Sequence, residues 1–179
     1  IALVHDYEAC WMTELDVQTH DFHYTRLLLD FYKAVRMNGG SLDIVGKNAD
    51  FTGYKLVIVP SLVHLQDEEL QRVIKSGAQI LAGPRSGTKT PDFQLPTELS
   101  LEGLGFQVQR VDALPRDLPV PVEWNGIKGS FSVWREHGLT SGVSEGKSSD
   151  GMVVLTRGNQ GSYLCGWPDQ KLLNAIMKN

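Results

Sequence analysis

The chain has 179 residues, 41% of them hydrophobic and 21% charged, and a formal net charge of -4 at pH 7. This is the composition of an ordinary soluble globular protein, long enough for one well-packed α/β domain. Because the net charge is negative, the protein has no overall positive potential that would attract nucleic acid or acidic lipid, so neither is expected as a partner.

The two cysteines, Cys10 and Cys165, lie near opposite ends of the chain without metal-ligand spacing. Neither a disulfide framework nor a structural zinc site is expected. We expect the protein to reside in a reducing, cytoplasmic compartment. There is no apolar run of membrane-spanning length. The chain begins inside an apolar strand-like run without an initiator methionine. We therefore expect a piece of a longer protein.

The first half of the chain alternates buried strands with helices. Apolar runs at residues 2–4, 41–45, 55–60 and 78–82 are typical of strands buried on both faces of a sheet. A helix is predicted from about Asp21, with Asp21 as its cap, and a second from about Gln66 to Ser76. This β-α-β-β-α-β order predicts a mostly parallel sheet with helices on both faces, a three-layer α/β sandwich.

The second half is rich in proline and in alternating segments. Residues 106–111, 129–134, 152–156 and 161–167 are predicted strands, with antiparallel members at the sheet edge. Residues 144–151 are predicted to be a polar surface loop and residues 168–179 a closing helix with Pro168 near its start. The absence of a repeat or a clean linker favours a single domain over residues 1–179.

The stretch "GPRSGTKTP", residues 83–91, follows a predicted strand and invites two chemical interpretations. A phosphate-binding loop is disfavoured, because Thr88 stands where that motif needs glycine and Pro91 prevents a following helix. A nucleophile elbow has the frame G-x-Nuc-x-G, but Arg85 occupies the nucleophile position. A permanently protonated guanidinium cannot attack a substrate. No catalytic residue, cofactor or metal is therefore predicted.

Other candidate sites have simpler structural interpretations. A metal site could be assembled from residues of the first strand and the loop that follows: His5, Asp6, His20, Asp21 and His23. A helix cap with hydrogen-bonded imidazoles is the favoured interpretation of these residues. Cys10 is expected to be a packed cysteine rather than a reactive thiol. Trp11, Trp124, Trp134 and Trp167 could stack on a sugar or a partner, or pack in the core.

Several segments together resemble a known family. These are "IALVHDYEACW", "DFHYTRLLLDFYKAVRMNGGSLDIV", "YKLVIVPSL", "GPRSGTKTPD", "FSVWREHG" and "VVLTRGNQGSYLCGWPDQKLL". They are similar to the trimerisation domain of family-42 glycoside hydrolases, the β-galactosidases. The resemblance spans nearly the whole chain and is most specific in the first ninety or so residues. The chain departs from it at Asn159-Gln160-Gly161, where the family tends to have Gly-Lys-Gly.

The resemblance implies a flavodoxin-like fold related to class I glutamine amidotransferases, with the catalytic cysteine absent. It also implies an upstream TIM barrel that carries two catalytic glutamates, a parent enzyme that hydrolyses terminal β-galactosides with retention, and a homotrimer. Neither glutamate maps onto this chain.

We therefore expect the segments "YEACWMTEL" and "GPRSGTKTP" to contribute to the subunit contact or to face the barrel. The candidate residues are Trp11, Arg85, Ser86 and Lys89. Two alternatives stay open: an amidotransferase-like or DJ-1-like enzyme that uses Cys10, and a stand-alone sugar-binding module.

Overall fold

A computed structural model describes residues 1–97, 100–115 and 117–179, and its first half is built around parallel strands. These are β1 (Ala2–Val4), β2 (Asp43–Val45), β3 (Leu56–Val59) and β4 (Gln79–Ala82). Their order is β2-β1-β3-β4, and every neighbouring pair is parallel. The four strands therefore end together at one edge of the sheet, which we call the carboxyl edge.

Helices cover both faces of this parallel part. They are α1 (Tyr7–Leu15), α2 (Tyr24–Met37), α3 (Asp67–Ser76) and, at the end of the chain, α4 (Gln170–Lys178). One buried cluster joins α1 and α3 to Val57 and Val59, and the other joins α2 and α4 to Ile58. Alternate strand residues thus face opposite layers, which gives the predicted layering with helices on both faces.

The second half of the chain extends the same sheet with antiparallel strands. The first is the two-residue strand β5 (Ser100–Leu101). It is followed by β6 (Phe106–Ala113), β7 (Val120–Trp124), β8 (Ile127–Thr140), β9 (Val143–Ser148), β10 (Val153–Arg157), β11 (Gly161–Leu164) and β12 (Gly166–Pro168). Of these, β11 lies parallel to β4 and antiparallel to β10. It is the junction between the two halves.

The antiparallel part is larger than predicted. From β10 outwards the order is β10-β9-β7-β8-β6-β5, and every neighbouring pair is antiparallel. The expectation of a mostly parallel sheet with antiparallel edge strands is therefore correct only for the first half. The molecule is a mixed α/β protein in which the sheet predominates.

Two local predictions were wrong, and one helix was not predicted. Helix α1 was not predicted, and α2 is capped at His23, not at Asp21, because Phe22 in the preceding turn is buried against Trp134 and Trp167. Residues 144–148 of the predicted polar loop belong to β9, which pairs with β10 and leaves Ser144 and Lys147 exposed.

Candidate functional site

Helix α1 lies at the carboxyl edge and exposes an apolar stripe. It begins directly after β1, where Asp6 caps it by accepting a hydrogen bond from the Ala9 N–H at 2.9 Å. Tyr7, Trp11 and Leu15, spaced four residues apart on one face, are 66%, 59% and 86% exposed. We call these three residues the α1 stripe. Ala9, Cys10 and Met12 are buried on the other side, so α1 is apolar on both faces.

The loop after β4 has the backbone of an elbow. Arg85 has φ +65°, a left-handed conformation that non-glycine residues rarely adopt. A Cβ on Gly83 would lie 2.1 Å from the Pro60 carbonyl oxygen, so only glycine allows this close passage past the end of β3. The predicted elbow geometry is thus present, with arginine at its apex.

The Arg85 side chain points into the protein. It is 4% exposed, and its guanidinium lies 4.8 Å from the Phe22 ring centroid and 5.2 Å from that of Trp134. Stacking between two rings stabilises a cation that burial penalises. Burial lowers the pKa of Arg85, and the charges of Asp16 and Glu136 oppose that shift.

Glu136, on β8, holds the elbow in place through hydrogen bonds. Its Oε1 accepts hydrogen bonds from the Arg85 N–H and the Trp134 Nε1–H, each at 2.9 Å, and its Oε2 accepts one from the Tyr163 hydroxyl at 2.5 Å. Burial raises the pKa of Glu136, while these three donors lower it. The sequence did not predict this role of Glu136, because its partner Arg85 is 51 residues away along the chain.

Ser86 and Lys89 hold the same loop in place. The buried Ser86 Oγ accepts a hydrogen bond from the Leu62 N–H at 3.2 Å. The partly buried Lys89 pairs with Asp16 at the end of α1, Nζ to Oδ2 at 2.8 Å. Of the four residues predicted at a subunit contact, Trp11 is therefore the most exposed, while Arg85 and Ser86 lie inside. Their part in a contact stays a prediction.

A polar cluster lies beneath the start of α1. Asp6, Glu8 and His64 offer ligand atoms within 4.8 Å of one another. The Lys47 ammonium contacts all three, at 2.6 Å from His64 Nε2, 2.7 Å from Glu8 and 3.8 Å from Asp6. The lysine supplies the positive charge that a metal would bring to these carboxylates. Of the five residues considered as a metal site from the sequence, only Asp6 is in this cluster, and the His5 ring packs against Tyr7 and Tyr24 instead.

The polar cluster makes stability depend on pH. Burial lowers the pKa of His64 from 6.5, and Lys47 lowers it further against the opposing charges of Asp6, Glu8 and Glu69. Between the folded and unfolded pKa values the unfolded chain binds the additional proton, so the free energy of unfolding decreases as pH falls below about 6.5. We expect His64→Gln to flatten this decrease in urea unfolding between pH 5 and 7.5. The exposed His20→Gln serves as control, and equal slopes for both variants would contradict the assignment.

Cys10 has the environment of an unreactive thiol. It is 8% exposed, and burial and the nearby Glu14 raise its pKa. Because the thiolate is the reactive species, we expect iodoacetamide at neutral pH to leave Cys10 unmodified in the folded chain and to modify it fully in denaturant, as read by mass spectrometry. Rapid labelling in the folded chain would restore the thiol-enzyme alternative.

The other tryptophans are core residues. Trp124, Trp134 and Trp167 are each 2–3% exposed. The Trp167 Nε1–H donates to Asp30 and that of Trp124 to Glu145, both at 3.1 Å. Among the residues that the structure describes, no helix is both long and apolar enough to cross a bilayer.

The fold and this edge together define a class of protein: an α/β domain whose elbow carries a buried arginine and whose adjoining helix exposes an apolar stripe. Residues 1–168 match the family model described as the beta-galactosidase trimerisation domain. The chain belongs to this family.

Relatives and solved structures agree with the family. The chain is 36% identical to beta-galactosidase BgaA from a Thermus species over 181 residues, covering 99% of this chain and 28% of that protein. It is 31% identical to BgaH from Haloferax lucentense, with coverages of 99% and 29%. The crystal structure of the beta-galactosidase from the psychrophilic Marinomonas ef1 superposes with a TM-score of 0.92 at 33% identity, covering 98% of this chain and 27% of that one. This chain thus spans less than a third of the length of these relatives.

Proposed function

We propose that this chain is the assembly domain of a longer β-galactosidase, which it holds together as a homotrimer without taking part in hydrolysis. The parent enzyme would cleave terminal β-galactosides with two glutamates on an upstream TIM barrel. The observation that carries the assembly role is the α1 stripe, since three large apolar side chains on one exposed helix face are typical of a protein contact.

The elbow supports a non-catalytic role. A nucleophile would have to stand at position 85, and the arginine there is buried between two rings. The nearby carboxylate of Glu136 is already engaged by three donors. Cys10 lies on α1, not in the elbow, and burial raises its pKa. The groups that chemistry would need are therefore used for structure.

The elbow and the strand order also support a relationship to a known fold. The strand order β2-β1-β3-β4, the helices on both faces and the left-handed residue after β4 support a flavodoxin-like domain related to class I glutamine amidotransferases. The two cysteines are unpaired, which is compatible with the reducing cytoplasm where we place the parent enzyme.

The mass of the parent protein tests the assembly role. Sedimentation equilibrium of the longer protein should give three times the mass of one chain, and a mass of one or two chains would contradict the proposal. The 179-residue chain by itself should not hydrolyse a nitrophenyl β-galactoside and should give no heat with galactose in calorimetry. Heat of binding would favour the sugar-binding alternative.

A further inference from the structure

The chain ends of the domain lie at the edge opposite the α1 stripe. Ile1 precedes β1, and its backbone nitrogen donates to the Ser41 carbonyl just before β2, so it lies at the edge where the parallel strands begin. Helix α4 runs beside α2 in the same direction, because Gln170 contacts Asp30 and Asn174 contacts Asn38. Since α2 ends before β2 begins, α4 also ends at that edge. Any chain joined to Ile1 or Asn179 departs from there.

From this placement we infer that the α1 stripe contacts a second copy of the protein, not another part of its own chain. The inference rests on the proposed trimer and names the surface that makes it. The relatives that match are more than three times as long as this chain, so a linked domain would adjoin the edge from which the chain departs. The stripe projects from the other edge, which leaves it for a neighbouring molecule.

The contact is not a self-contact of two stripes. A closed ring of three requires a heterologous interface, in which one face of a copy meets a different face of the next. The α1 stripe is therefore one half of the interface. Its opposing surface must be apolar, and the exposed carboxylate of Glu14 beside the stripe favours a cationic group at the rim of that surface.

A second exposed apolar segment lies in the loop that is joined to the end of α1. Phe93 and Leu95 are 53% and 72% exposed in the loop after the elbow. The ion pair between Lys89 and Asp16 ties this loop to the end of α1. The elbow residues Arg85 and Ser86 lie inside and act as positioning residues for that loop. A single surface at the carboxyl edge, formed by α1 and residues 91–95, thus faces the partner.

Introducing negative charges into the stripe tests this inference in the longer protein. Trp11→Asp with Leu15→Asp should convert the trimer to single chains in sedimentation velocity. Ile44→Asp, which changes an apolar residue that is 54% exposed on the edge strand β2, should leave the trimer intact. The milder Trp11→Ala should weaken association about 30-fold or more, as expected for a central aromatic anchor.

The outcomes separate the two proposals. A wild-type trimer with trimeric stripe variants would overturn the inference and leave the proposed function standing. A wild-type protein of single chains would overturn the proposed function itself. Circular dichroism of the 179-residue chain shows whether the double variant folds. If it does not fold, the association constant of the Trp11→Ala variant is the test, and an unchanged association constant overturns the inference.

Discussion

Replacing Glu136 with alanine lowers the free energy of unfolding by about 3–5 kcal/mol, because it removes the acceptor of three buried donors. The Arg85 N–H, the Trp134 indole and the Tyr163 hydroxyl all bond to this one carboxylate. The side chain is 2% exposed, so water cannot replace it without opening the core. Urea unfolding followed by tryptophan fluorescence measures the loss.

Two companion variants show which property of Glu136 matters. Glu136→Gln keeps an oxygen for the Arg85 and Trp134 donors, so a loss of only about 1 kcal/mol is expected. The exposed Glu123→Ala on β7 should change stability by less than about 0.5 kcal/mol. Equal losses in Glu136→Ala and Glu123→Ala would show that the carboxylate does not hold the elbow.

Replacing Gly83 with alanine destabilises the fold by about 3 kcal/mol, because backbone must move to admit a methyl group. The new Cβ would lie 2.1 Å from the Pro60 carbonyl oxygen, which belongs to the chain leaving β3 and has no rotamer to change. The displacement would fall on the elbow two residues before Arg85.

Gly46 provides the matched control for this substitution. It follows β2 at the same carboxyl edge, and a Cβ there would meet nothing within 4 Å. Gly46→Ala should therefore be neutral or stabilise by up to about 1 kcal/mol through the unfolded state. Differential scanning calorimetry of both variants checks the difference, and equal melting temperatures would refute the close-packing argument.

Strand positions could be predicted from the sequence where the chain is buried. The apolar runs that became β1, β3 and β4 are short and typical of strands covered on both faces of a sheet. The elbow could also be predicted from local sequence, because the strand pattern is followed directly by the G-x-Nuc-x-G frame within residues 79–87. Segments with such local signals were predicted correctly.

Helix α1 was missed because it lacks the pattern of a surface helix. Its apolar residues lie on both faces: Ala9, Cys10 and Met12 are inside and the α1 stripe is outside. The sequence therefore lacks the helical alternation of polar and apolar residues by which a surface helix is recognised. The contacts of Glu136 were missed for another reason. They join residues far apart in the chain, and local sequence carries no trace of such pairing. Both omissions coincide with the regions that the proposed function uses.

A photo-crosslink at position 11 tests the central claim most directly. Trp11 of the longer protein is replaced with the photoreactive amino acid benzoylphenylalanine, and the irradiated sample is separated on a denaturing gel. We predict covalent dimers and trimers of the chain, with peptide mapping that joins position 11 to a different copy, and none from the same probe at Ile44. Crosslinks confined to single chains, or equal products from both positions, would contradict the assignment of the α1 stripe to the subunit contact.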